Sequence, residues 1–188
     1  MQTRLLGLLL TLLVALPASP ALADDYSDTI KVFRSAGESG KFFGSSYGYA
    51  VFPTIGKGGI GIGGAHGSGR VYAKGAHVGD TSMTQLTVGL QFGGQAYSQI
   101  IFFQDKRSFD EFTSGNFEFG AQASAVAITA GAQAQAGTSG TGAGASGTQG
   151  RATTAGGYQK GMAVFTVAKG GLMYEASIGG QKFSYKKK

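Results

Sequence analysis

Gly59, Gly61 and Gly64 spell G-x-G-x-x-G behind an apolar stretch, with Asp80 further along, which is the residue pattern of a dinucleotide-phosphate turn. That chemistry needs a helix to open at the third glycine, because the helix N-terminus holds the pyrophosphate. The residues that follow, AHGSGRVYAKG, carry no 3.6-residue periodicity, so the mechanism lacks its main part. His66 and His77 are the only imidazoles, and both sit in glycine-rich turns. Ser68 is preceded at two residues by His66 where a nucleophile elbow needs glycine. No H-x-x-x-H or E-x-x-H spacing offers a metal site, and the absence of Cys removes thiol nucleophiles, zinc–cysteine centres, disulfides and lipidated cysteines together. The chain reads as a non-enzyme with no cofactor and no metal.

The chemistry that remains is electrostatic. The chain carries a formal net charge of +6. Residues 24–157 balance their charges, so the excess lies at the C-terminus, where Lys160, Lys169, Lys182, Lys186, Lys187 and Lys188 face Glu175 alone. A basic block of this kind suits anionic lipid, nucleic acid or an acidic polymer. Nucleic acid would also need free aromatic platforms. The candidates Tyr158, Phe165, Tyr174, Phe183 and Tyr185 alternate within strand-like segments, where packing into a core is the commoner fate, so nucleic acid is set aside.

The elements that position these residues are mainly β. Glycine supplies 34 of 188 residues and proline only 3, without a G-X-Y period, which excludes collagen. A hydrophobic share of 42% is enough for one core, and a charged share of 14% is too low for a coiled coil. Arg4, the apolar run from Leu5 to Leu16, and PASPALA have the charge, length and small residues of a secretory signal. Cleavage after Ala23 is expected, giving an exported chain that is periplasmic, envelope-associated or secreted. In residues 24–46, Tyr26, Ile30 and Phe33 lie on one helical face. From residue 47 the period changes to two. YAVFPTI reads as a short strand ending near Pro53, and GGIGIGGA and RVYAKG follow. In LTVGLQF, Leu86, Val88, Leu90 and Phe92 face one way. AYSQIIFF is a bulkier strand, Asp105 caps a short helix KRSFDEF, and FEFGAQASAVAITAGAQ is expected to run as one strand. AVFTVA, GLMYEASI and QKFSY complete the set. Residues 137–157 lack large apolar side chains and are expected to form a flexible Gly/Thr/Ala/Ser loop. GYAVFPTIGKGG and GMAVFTVAKGG echo each other, which would place Lys57 beside Lys169. The expected class is α+β, mainly β: a glycine-rich antiparallel sheet closing into a barrel or sandwich, with a short N-terminal helix and a short mid-chain helix.

Read together, GYAVFP, KGGIGIGGA, GLQFGGQAYSQIIFF, SGNFEFGAQASAVA and KGGLMYEASIGGQKFSY resemble the SYLF domain, also called the Ysc84 actin-binding domain. The resemblance makes 47–188 one SYLF-like domain. It implies a non-catalytic module that binds membrane lipid, and bacterial members are exported or lipid-anchored envelope proteins. Actin and phosphoinositides do not belong to a bacterial envelope, so actin is not an expected partner. The expected partner is an anionic phospholipid surface, reached reversibly because no lipidation cysteine is present. Lys57, Lys169, Lys182, Lys186, Lys187 and Lys188 are the candidate lipid-binding residues. The alternative is a structural envelope protein, a small outer-membrane β-barrel, which the chain length and alternating strands would also fit.

Overall fold

The computed structural model describes residues 21–89, 94–128, 157–169 and 177–188. Most of the expected leader, most of the glycine-rich stretch 137–157, Leu90, Phe92 and most of GLMYEASI lie outside the described residues. The chain is mostly β with three short helices: α1 (Ala21–Ser35), α2 (Gly37–Gly40) and α3 (Lys106–Phe112). A 3-10 turn at Lys41–Gly44 follows α2. The strands are β1 (Gly48–Ala73), β2 (Ala76–Gly89), β3 (Gln95–Phe103), β4 (Phe117–Glu118), β5 (Val126–Ile128), β6 (Met162–Lys169) and β7 (Lys182–Lys187). They form one sheet in the order β4-β7-β2-β1-β3-β6-β5. All neighbours are antiparallel except β5 and β6.

β1 doubles back on itself. A Cβ placed on Gly69 would lie 2.6 Å from the Phe52 ring and 2.9 Å from the Val51 carbonyl. One on Gly67 would lie 2.6 Å from Ile55 and 2.9 Å from the Thr54 carbonyl. Gly48 meets the backbone of Tyr72 in the same way, and Gly59 meets Gly63. These pairs converge on a reversal at 59–63, where Gly59 has φ +150°. The arms 48–58 and 63–73 therefore lie side by side, and eight extended segments stand abreast. The glycines of the second arm are spaces for side chains of the first. Gly69→Val would force the Phe52 ring out of its seat, an overpacking cost of about 1–3 kcal/mol. Urea unfolding should show that loss, and an unchanged midpoint would contradict the fold-back.

Pro53 does not end the strand, as the sequence suggests it should. The register against β3 shifts between Phe52 and Ile55, so the proline occupies an irregularity where no ladder N–H is needed. Its carbonyl still accepts from Ser98 Oγ at 2.7 Å. The single strand expected from FEFGAQASAVAITAGAQ is replaced by β4 and β5, which sit at opposite edges of the sheet. Eight Cα steps from Glu118 to Val126 reach at most about 29 Å. Eight segments laid flat would set those edges roughly 34 Å apart. The sheet must curl, and it forms a half-barrel with residues 119–125 crossing its mouth. Among the described residues no ladder joins β4 to β5.

Each face of the curl has its own core. Phe52, Ile55, Met83, Tyr97, Phe103 and Phe183 fill the inner one, and α3 closes it through Phe112. Phe119, Ala123 and Ala125 of the crossing segment pack there too. α3 begins at a capping box: Ser108 N–H donates to Asp105 Oδ1 at 2.9 Å, and Asp105 N–H donates to Ser108 Oγ at 3.3 Å. The outer core lies between the sheet and the N-terminal helices, with Phe33, Phe42, Val51, Ile100, Phe102 and Phe165 at its centre. Tyr26, Ile30 and Phe33 do form one apolar helical face, and all three pack on the sheet. α1 starts at Ala21, so the boundary expected after Ala23 falls within it.

Candidate functional site

The six candidate lysines divide between the two ends of the half-barrel. Lys57 on β1 pairs with Gln95, and Lys169 on β6 pairs with Ala96, so both flank the first residues of β3 at one level. The two copies of the internal echo are the neighbours of β3, running the same way, so β3 separates Lys57 from Lys169 and the two do not lie side by side. Lys57 is half-buried and follows Ile55 by two residues, which directs it to the inner face. Lys169 points outward, and its Nζ donates to Thr54 Oγ1 at 2.8 Å. Lys182 opens β7 opposite Thr84, which in turn lies opposite His66. Lys182, Thr84 and His66 are all exposed and form one row across β7, β2 and β1. Lys182 Nζ lies 3.6 Å from Glu118 Oε2, an exposed pair worth at most about 1 kcal/mol and easily exchanged for another anion.

Lys186, Lys187 and Lys188 are elsewhere. Lys186 and Lys187 pair with Asp80 and Gly79, and Lys188 N–H donates to Val78 O at 3.0 Å. Lys186 lies four residue steps along β7 from Lys182, roughly 13 Å. Lys57, Lys186, Lys187 and Lys188 have no ion-pair partner among the described residues.

At the end that carries Lys57, Lys169 and Lys182, two apolar side chains are exposed. Ile62 is 69% exposed and Leu86 75% exposed, the two large apolar side chains left uncovered among the described residues. They are diagonal neighbours on the outer face, because Ile62 pairs with Val88 and Gly64 with Leu86. Gly64 has no side chain to shield Leu86. The alternation in LTVGLQF was sufficient to put Leu86 on one face. It could not say which face would be covered, and the side chains buried on β2 among the described residues are those of Thr81, Met83 and Gln85.

Inside the curl a polar cluster is fully enclosed. Gln99 Nε2 donates to Gln181 Oε1 at 2.9 Å, and Gln181 Nε2 donates to Tyr97 Oη at 3.1 Å and to Gln99 Oε1 at 3.2 Å. Burial pushes the Tyr97 hydroxyl up to about 12, against the opposing effect of its bond to Gln181. A cavity of about 480 Å³ opens between the crossing segment and β6, lined by Phe117, Phe119, Met162, Val164 and Ile178 with Lys160 at its polar side.

The histidines do not meet. His66 is exposed on β1, whereas His77 on β2 lies 3.0 Å from Asp80 Oδ1 and 3.1 Å from Gly79 O. Gly59, Gly61 and Gly64 belong to the reversal of β1, and the chain beyond them remains strand as far as Ala73.

The Ysc84 family, described as "Las17-binding protein actin regulator", matches residues 84–188, more than half of the chain. The chain belongs to the Ysc84 family. The Ysc84 match takes in every strand from the latter part of β2 onward, and the β1 fold-back precedes it. A curated relative, "Beta cell expansion factor A" of Aeromonas veronii, is 28% identical over 158 residues, covering 82% of this chain and 51% of its own length. The chain therefore spans about half the length of that relative. Ysc84 (SYLF) domains are lipid- or actin-binding modules and are generally non-catalytic.

Proposed function

We propose that this Ysc84 domain is an exported, non-catalytic module that associates with anionic phospholipid surfaces. The observation that carries the reading is the set of exposed lysines along the strands, of which Lys182 alone is in an ion pair among the described residues, with Glu118: Lys169 and Lys182 lie on the outer face, and Lys186, Lys187 and Lys188 at the far end of β7. Family membership supports a lipid- or actin-binding module, and the leader-like N-terminus supports export, which favours lipid over actin. Each lysine near an anionic surface contributes about 1 kcal/mol, so a handful acting together is enough for reversible, salt-sensitive attachment. No helix among the described residues is long and apolar enough to cross a membrane.

Co-sedimentation with vesicles tests this. The protein should pellet with phosphatidylcholine vesicles that contain phosphatidylglycerol and not with pure phosphatidylcholine. Binding should weaken as salt is raised, because exposed charges are screened over about 10 Å at 0.1 M. Equal binding to neutral vesicles, or no binding to anionic ones at low salt, would refute the proposal.

A further inference from the structure

The structure assigns the lipid contact to one end of the half-barrel, where Ile62 and Leu86 enter the interface and Lys169 and Lys182 grip the headgroups; this rests on the lipid-binding reading above. The surface is layered. Ile62 and Leu86 lie nearest the reversal of β1, bare on the outer face. Two to four residues further up the same strands runs the polar row of His66, Thr84 and Lys182. Thr54 lies over Gly67 on the neighbouring arm, and it carries the Lys169 ammonium at 2.8 Å. Two cations thus flank an aliphatic pair from either side and stand one step behind it. At about 3.3 Å per residue the offset is roughly 7–13 Å, which matches the depth between the acyl boundary and the phosphates for a shallowly seated apolar group.

Charge complementarity selects the occupant. Among the described residues the one acid paired with the strip is Glu118, 3.6 Å from Lys182, so the described strip is cationic around an apolar centre. A second copy of the same strip would bring Lys169 and Lys182 against their own counterparts, an unfavourable like-charge contact. An anionic headgroup layer over hydrocarbon offers the opposite arrangement: apolar below, negative above. The C-terminal Lys186, Lys187 and Lys188 point away from this end, and on this geometry they add only long-range attraction.

Vesicle binding by three variants separates the possibilities. Ile62→Ser with Leu86→Ser changes only exposed positions, so the fold should persist by circular dichroism while affinity for phosphatidylglycerol-containing vesicles falls about tenfold or more. Lys169→Ala with Lys182→Ala should give a comparable loss that high salt abolishes. Replacing Lys186, Lys187 and Lys188 by Ser should change affinity by less than about threefold, as expected of charges lying beyond a Debye length. The inference is overturned if the tail variant loses binding while the Ile62/Leu86 variant keeps it, an outcome that leaves the lipid reading intact. It is equally overturned if the wild-type protein is a dimer that only the Ile62/Leu86 variant dissolves, with vesicle binding unchanged. Failure of the wild-type protein to bind any anionic vesicle would instead refute the lipid reading itself.

Discussion

Phe102→Ala is expected to remove about 3–5 kcal/mol of unfolding free energy, the range for truncating a well-packed aromatic. Phe102 is fully buried in the outer core and stands at its hub. Its ring stacks on Phe42 at 5.4 Å, meets Phe43 edge-on at 4.9 Å and Phe165 at 6.0 Å. Phe42 and Phe43 belong to the 3-10 turn after α2, so one side chain of β3 anchors the N-terminal helices to the sheet. A domain of this size has only about 5–15 kcal/mol of total stability, so the loss is a large fraction of it. Denaturant titration gives the magnitude, and amide exchange gives the location. Protection should fall first at 37–44, before the β2–β7 pair. A loss below about 1 kcal/mol would mean that the helices are held by other contacts.

The second large effect is alkaline destabilisation through Tyr97. Its hydroxyl is enclosed with Gln99 and Gln181, and burial raises its pKa to about 12. In the unfolded chain a tyrosine loses its proton near pH 10. Between those two values the unfolded state holds fewer protons than the folded one, so stability falls as pH rises. The contribution is complete below about pH 10 and is lost by about pH 12, and the span of two units amounts to about 2–3 kcal/mol. Tyr97→Phe should flatten that slope. Gln181 Nε2 would still donate to Gln99 Oε1 at 3.2 Å, so the variant keeps most of its network at neutral pH. Urea midpoints for both proteins across the alkaline range are the measurement. Parallel curves would show that Tyr97 is not the group responsible.

Much of the sheet could be read from period-two alternation, and the α3 cap from Asp105, because both signals are local. The echo between GYAVFPTIGKGG and GMAVFTVAKGG carried long-range information as well, since like strands flank β3. Three things were hidden. β3 is buried on both faces, so Ser98 and Gln99 gave no sign of being interior. The division of FEFGAQASAVA into β4 and β5 depends on partners, Phe183 and Phe165, that lie far along the chain. The lysines looked like one C-terminal cluster because sequence proximity ignores strand rise, which carries Lys186 to Lys188 away from Lys182 and Lys169. The β2 alternation put Leu86 on one face without saying whether that face is covered, and the covering helices lie over other strands.

The crossing segment has a consequence for the order of assembly. β4 and β5 are close in sequence, but β4 pairs with β7 and β5 with β6, so neither has its place until residues after 157 arrive. In any delivery that presents the chain N-terminus first, ribosomal synthesis included, the β1–β2–β3 unit must wait with open borders. The last six strand residues, Lys182–Lys187, then close one border by joining both β2 and β4. Completion is postponed until both β6 and β7 are present, and during that interval the exposed margins are where a chaperone would have to act.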